Sequence, residues 1–343
     1  MPRASRIVAL SAAAVLTLGL AACATSPASD DTASGDNGDF TPITIEHAFG
    51  ETVIDAKPER VATVAWANQE VPLALGVVPV GMAKVTWGDD DEDGLLPWVK
   101  EKLDELDAET PVLFDETDGI DFEGVADTNP DVILAAYSGL TQEDYDTLSE
   151  IAPVVAYPEN AWGTSWRDTI TQNAAGMGLV SEGDDLVAEL EQEISDAAAE
   201  HPSLEGKSVM FLTHVDESDL SEVSFYTTHD TRTMFFDDLG MQSAPSIITA
   251  SEATDQYSLT QSAEQADAFN DVDVIVTYGG DDLVATLEGD PLLSQIPAVA
   301  NKSIVNLSGS GPMGTAANPT ALSISHVVGD YAALLAAAAD NAE

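Results

Sequence analysis

Residues 166–200 read WRDTITQNAAGMGLVSEGDDLVAELEQEISDAAAE, a polar run with helical periodicity. Its apolar side chains, Trp166, Ile170 and Met177, then Leu186, Leu190, Ile194 and Ala197, fall on one stripe. Ser181 is placed to cap a second helical segment, Gly178 or Gly183 marks a joint, and Pro202 ends the run. On either side, short β-branched strands alternate with helix-like segments. A long polar connector between two such halves leaves one economical solution: two α/β lobes joined by a helix. A cleft between lobes is where a ligand binds.

The strand pattern divides the chain into an N-terminal lobe over 41–163, an inter-lobe helical segment over 164–202 and a C-terminal lobe over 203–343. In the first lobe, Ile43–Ile45 and Glu51–Ile54 form a hairpin around His47-Ala-Phe-Gly. Strands are predicted at Arg60–Ala65, Val77–Val80, Asp131–Ala136 and Ala152–Ala156, with a helix over Glu70–Leu75. In the second lobe, strands are predicted at Lys207–Thr213, Val272–Tyr278 and Ser303–Leu307, a helix at Thr233–Leu239, and a last Ala-rich helix from Asn318 or Thr320. Continuous apolar strands separated by helices imply mainly parallel sheets and two Rossmann-like lobes.

The first 22 residues carry Arg3 and Arg6, then an apolar run from Ile7 to Ala22 that is short for a membrane span. The run ends in Leu20-Ala21-Ala22-Cys23, which resembles the lipobox of bacterial lipoproteins. Cys23 is the sole cysteine, so the chain has no internal disulfide. The expected product is extracytoplasmic and held on the cell membrane by lipidated Cys23, since two acyl chains suffice for stable anchoring. Residues 24–40, ATSPASDDTASGDNGDF, read with Cys23 as a disordered acidic tether, and folding is expected to begin near Ile43. There are 11 Lys and Arg against 61 Asp and Glu, a formal charge of −50. Such a surface repels nucleic acid and anionic lipid.

In parallel α/β sheets, ligands lie beyond the carboxyl ends of the strands. Those ends are aromatic here although aromatics make up only 6% of the chain. Trp66 follows the first sheet strand, Trp87 the second, Tyr137 ends the third, and Trp162 and Trp166 follow the fourth. Tyr226 and Tyr278 take similar places in the second lobe. Rigid flat rings suit a bulky ligand, and tyrosine adds a hydroxyl; any single ring can instead pack under a loop. Removal of the leader leaves nine basic residues, and Arg232 is one of them. It is either a donor into the cleft or the surface partner of Asp230 or Asp237. Gly309-Ser-Gly311-Pro-Met-Gly314 matches the dinucleotide fingerprint by letters, but Pro312 and the lack of a following βαβ unit make it a cleft loop. Its Met313 touches ligand or fills the core. No Gly-x-Ser-x-Gly elbow is present, and His47, His201, His214, His229 and His326 form no close ligand pair. Enzymatic catalysis and a bound metal are therefore not expected.

Several stretches resemble the iron-siderophore substrate-binding lipoproteins of ABC importers, the helical-backbone class of binding proteins. They are HAFGETVIDAKPERVATVAWANQEVPLALGVVPVG (47–81), PDVILAAYSGLTQEDYDTLSEIAPVVAYPE (130–159), FYTTHDTRTMFFDDLGM (225–241), LTQSAEQADAFNDVDVIVTYGG (259–280) and DPLLSQIPAV (290–299). The resemblance spans nearly all the chain beyond residue 40. It implies a rigid inter-lobe helix, small closure motions, capture of a ferric siderophore of hydroxamate type, and delivery to a permease–ATPase complex. It implies that Arg232 hydrogen-bonds the chelate, that the siderophore's own oxygens fill the iron's coordination sphere, and that no cofactor is needed. It also implies one exposed glutamate on each lobe for docking the permease, matched by Glu143 and Glu264. The protein is expected to act as a monomer. Haem, cobalamin or a bare metal ion bound in the same fold are the alternatives, with a lipoprotein enzyme behind them.

Overall fold

The computed structural model describes residues 40–309 and 311–342. The leader, Cys23 and the tether as far as residue 39 lie outside the described residues. Phe40, assigned to the tether by its sequence, is half-buried against the core, so ordered packing starts three residues before Ile43.

Strands β1 (Ile43–His47) and β2 (Gly50–Ile54) pair as the expected hairpin. The first-lobe sheet contains β3 (Val61–Thr63), β4 (Gly81–Ala83), β5 (Val112–Phe114), β6 (Val132–Ala135) and β7 (Val154–Ala156). Its order is β5-β4-β3-β6-β7 and every pairing is parallel. All four residues of β6 are buried, as a strand covered on both faces requires. The strand predicted at Val77–Val80 lies instead at Gly81–Ala83. Val77 donates its N–H to the Pro72 carbonyl, so that stretch closes the helix Glu70–Ala74 before the chain enters the sheet.

The second-lobe sheet contains β8 (Ser208–His214), β9 (Glu222–Tyr226), β10 (Gln242–Ser243), β11 (Ser258–Ser262), β12 (Val274–Tyr278) and β13 (Ile304–Leu307). The order is β11-β9-β8-β12-β13, with β10 on β8. Strands β8, β12 and β13 are parallel, whereas β9 and β11 form an antiparallel edge.

The connector is two helices, Trp166–Gly176 and Val180–Glu200. Ser165 caps the first through the Asp168 N–H. Ser181 caps nothing: it sits one residue inside the second helix, whose N-cap is Leu179. The joint is Gly178, at φ +71°, where a Cβ would also stand 2.6 Å from the Phe40 ring. The first helix belongs to lobe one, with Gly176 pressed on Leu134 and Val155. The second packs on the first at Gly183 and on the C-terminal helix Ser323–Ala339. The inter-lobe helix is thus the 21-residue second segment alone.

One apolar cluster runs through both lobes, from Val132 and Leu134 through Ile170, Leu190 and Ile194 to Phe211, Val276 and Tyr331. Another joins Leu73, Trp98 and Leu103 to Ala316 and Val327. Each fully buried side chain of this kind contributes about 1.5–3 kcal/mol. Hinge opening would have to break parts of both.

Candidate ligand cleft

Residues just beyond the carboxyl ends of the strands converge on a cavity of about 360 Å³ between the lobes, within the roughly 300–1,000 Å³ range of small-molecule sites. Lobe one contributes Trp66, Trp87, Tyr137 and Trp162. The second half of the chain contributes Tyr226, Asp230, Arg232, Tyr257 and Asn318.

The lobe-one wall is conformationally strained. Trp162 has φ +60°, and Ala65 and Ala67, on either side of Trp66, have φ +59° and +61°. Left-handed backbone at non-glycine residues costs energy and concentrates at ligand clamps. Trp162 stands edge-on to Tyr137 with centroids 5.4 Å apart, and its indole lies so close over Gly139 that a Cβ there would be 2.2 Å from Nε1. Trp87 is 39% exposed and meets His214 of lobe two edge-on at 5.2 Å.

Arg232 is the centre of the lobe-two wall. Its Nη1 donates to both oxygens of Asp230 at 3.0 and 2.9 Å, and Nε donates to the Tyr278 hydroxyl at 3.1 Å. Its guanidinium lies 4.5 Å over the Tyr226 ring. Nη2 has no partner among the described residues. Burial opposes the guanidinium charge, but Asp230 and the surrounding tyrosine oxygens more than restore it. Burial pushes the Asp230 carboxyl up and Arg232 pulls it back. Beneath the cavity, Asn318 donates to the Tyr137 hydroxyl at 3.2 Å and accepts from the Thr231 hydroxyl at 2.5 Å, which stitches the lobes together. Burial raises the Tyr137, Tyr226 and Tyr278 phenols, so all three stay neutral near pH 7.

Six of the nine predicted ligand-binding residues therefore line one cavity: Trp66, Trp87, Tyr137, Trp162, Tyr226 and Arg232. The other three stand elsewhere. Tyr278 is buried behind Arg232; a register shift between Val276 and Tyr278 sets it opposite His214, on which it stacks at 5.1 Å. Trp166 is 4% exposed in the shared core and donates Nε1–H to Asp238 at 2.9 Å. Met313 lies in the short helix Pro312–Ala316, packed against both inter-lobe clusters, so the glycine-rich stretch is a helix start and not an open loop at this point. Asp230, Tyr257 and Asn318 are cavity residues that sequence reasoning did not assign. In the sequence Asp230 reads only as an ion-pair partner, Tyr257 precedes a strand without an apolar run, and Asn318 reads as a helix start.

Glu143 and Glu264 are both exposed but do not hold equivalent places in the two lobes. Glu264 is exposed in the first turn after its N-cap Ser262, on the helical segment leading into β12. Strands β6 and β12 hold the same place in their sheets. The segment leading into β6 is the helix Phe122–Asp127, where exposed Glu123 follows its N-cap Asp121 by the same two residues. Glu143 is exposed too, but on the helix Gln142–Ser149 that leaves β6. By position in the fold, the residue that matches Glu264 is Glu123. Among the described residues, one carboxylate group, Asp89, Asp91 and Asp93, gathers three potential ligand atoms; Lys100 already sits 2.5 Å from two of its members, and the group contains no histidine.

Two α/β lobes, a helical connector and an aromatic cleft at the strand ends define a ligand-capturing binding protein rather than a scaffold built around a nucleophile. The chain belongs to the periplasmic binding protein family, whose model matches residues 61–310. It is 43% identical to PiaA of Streptococcus pneumoniae TIGR4, whose crystal structure in complex with ferrichrome superposes with a TM-score of 0.84 over 88% of this chain and 100% of that one. It is 26% identical over 243 residues to the probable siderophore-binding lipoprotein YfiY of Bacillus subtilis, covering 69% of this chain and 70% of that protein. Staphylococcus aureus SirA, solved with staphyloferrin B, shares the fold at 19% identity, with a TM-score of 0.64 over 85% of this chain and 98% of that one.

Proposed function

We propose that this protein captures a ferric trihydroxamate in the aromatic cleft and delivers it to an ABC permease–ATPase complex from a lipid anchor at Cys23. The observation that carries the ligand class is the pairing of Arg232 with Asp230. Arg232 is the one basic side chain of the cavity wall, and its charge is already balanced. The wall thus offers rings, neutral hydroxyls and one directed donor, without net positive charge. A ferric trihydroxamate is neutral at its iron centre, because each hydroxamate loses one proton. A ferric tricatecholate is strongly anionic and would enter a site that supplies nothing to balance it, in a chain of formal charge −50. The PiaA complex with ferrichrome, itself a trihydroxamate, supports the same class. No helix among the described residues is long and apolar enough to cross a membrane, which agrees with a tethered lobe pair.

The test is tryptophan fluorescence of the chain beginning after Cys23, titrated with ferric trihydroxamate, ferric tricatecholate, haemin, cobalamin, Zn(II) and Mn(II). Trp66, Trp87 and Trp162 line the cavity, so an occupying chelate must quench them. Stoichiometric saturation by the trihydroxamate, and weak or no response to the catecholate, is expected. Saturation by the catecholate or by a bare metal alone would overturn the assignment.

Glu123 and Glu264 are the proposed contacts to the permease. In proteoliposomes holding the transporter, the Glu123→Ala, Glu264→Ala double variant is expected to lower chelate uptake about tenfold or more, since complementary charge at such contacts sets register and on-rate. Chelate affinity should stay as in the unaltered chain. Full uptake by the double variant, with loss in Glu143→Ala instead, would return the docking role to Glu143.

A further inference from the structure

A second cavity of about 370 Å³ opens beside the cleft, wholly within lobe one, and Trp66 and Trp162 form walls of both. Three of its lining residues carry buried polar atoms that have no partner among the described residues: Oε1 of Glu116, Oε1 of Gln69 and Nε1 of Trp66. Leaving such atoms unpaired is costly, and all three belong to residues that wall this one cavity. Two of the three are acceptors, so the guest is chiefly a donor. The other oxygen of Glu116 accepts the Ala65 N–H at 3.0 Å, within the strained segment that also presents Trp66. The carboxylate is thereby held by the same backbone that builds the cleft.

We propose that this chamber receives a protonated primary amine carried on an arm of the chelate, with Glu116 as its counter-ion. The inference rests on the cleft being a ferric hydroxamate site, since the arm must reach over Trp66 and Trp162 from a chelate seated there. An ammonium has three N–H donors and no acceptor. That set serves Glu116 and Gln69 together and leaves the Trp66 N–H to a chelate oxygen. Other charges near the chamber do not replace it. Asp144 is engaged by the N–H and hydroxyl of Thr141, Lys84 is an exposed rim residue, and Asp121 faces Glu116 with like charge. Burial, with Asp121 adding to it, holds the Glu116 carboxyl up at about 7, and an ammonium beside it would bring it down.

The measurement compares two probes by fluorescence titration at pH 8: ferric ferrioxamine B, a linear trihydroxamate ending in a primary amine, and its N-acetyl derivative, which has the same iron centre and no charge. The unaltered protein should bind the amine form about tenfold or more tightly than the acetyl form, the scale of a charge-assisted hydrogen bond. In Glu116→Gln, with an unchanged circular dichroism spectrum, the two affinities should converge. Equal affinities in the unaltered protein overturn the proposal without recourse to the variant. A preference that survives in Glu116→Gln assigns it to shape and removes Glu116 from the role. Loss of binding of both probes by the unaltered protein would instead sink the hydroxamate reading on which the inference stands.

Discussion

Replacing Asp230 with alanine is expected to destabilise the protein by about 3–5 kcal/mol, because it strands a buried guanidinium. Asp230 is 1% exposed and spends both carboxylate oxygens on Arg232 Nη1. One of them also accepts the Arg232 backbone N–H as the N-cap of the helix Thr231–Asp238. The alanine variant therefore loses a cap, a charge pair and the balance of the cleft together. Arg232 has no second carboxylate within ion-pair distance among the described residues, so its charge must be desolvated alone or swing outward. Urea denaturation should show the loss as a lowered midpoint with an unchanged slope. Asp230→Asn keeps an acceptor for the cap and should lose less. Arg232→Ala should weaken trihydroxamate binding by about 1–3 kcal/mol through loss of the donor. A loss under about 1 kcal/mol in Asp230→Ala would mean that Arg232 reaches solvent readily and that the wall is not pre-organised around the pair.

The cleft was legible where chemistry coincides with strand ends. Trp66, Trp87, Tyr137 and Trp162 sit two to six residues beyond apolar strands, and the parallel sheet order turns that local fact into a common face. Trp166 satisfied the same local rule and went elsewhere. It is the first residue of a helix whose apolar stripe faces the core, and the stripe decides where its ring goes. Tyr278 ends its strand as expected, but a bulge turns it behind Arg232. No local pattern encodes that displacement, because it depends on how β12 and β8 register. The edge strand β11 is illegible for a different reason. β11 is SLTQS, with no fully buried residue, and carries no apolar run to read. Equivalence of Glu123 with Glu264 likewise needs the strand order of both sheets. Glu143 lies after β6 whereas Glu264 lies before β12, and the shared place of the two strands in their sheets puts the matching segment before β6.

Glu70→Ala should cost about 3–5 kcal/mol as well, from the opposite side of the cleft. Glu70 is fully buried at the start of the helix Glu70–Ala74. Its Oε1 accepts from Trp98 Nε1 at 2.7 Å, and its Oε2 accepts from the Leu322 N–H at 2.9 Å and from the Thr320 hydroxyl. One carboxylate thus binds two lobe-one helices to the segment that begins the C-terminal helix. Alanine would leave three donors facing a cavity. Glutamine would keep an acceptor toward one side but turn an N–H₂ toward the other, so it should recover only part of the loss. Burial raises the Glu70 carboxyl above 4.5, while its hydrogen-bond donors pull it down. The folded chain therefore holds this proton more tightly than the unfolded chain does. Stability owed to it is greatest at low pH and falls as pH rises from 4.5 to the raised folded value. Glu70→Gln, having no proton to lose, should lack that component when its denaturation midpoint is compared with that of the unaltered chain across the window. The apolar clusters crossing between the lobes make the competing prediction. If they alone hold the halves in place, Glu70→Ala will lose less than about 1 kcal/mol. If the buried carboxylate is a true tie, its loss will appear both in the midpoint and as faster exchange of the Leu322 amide, because the segment it anchors is then free to open.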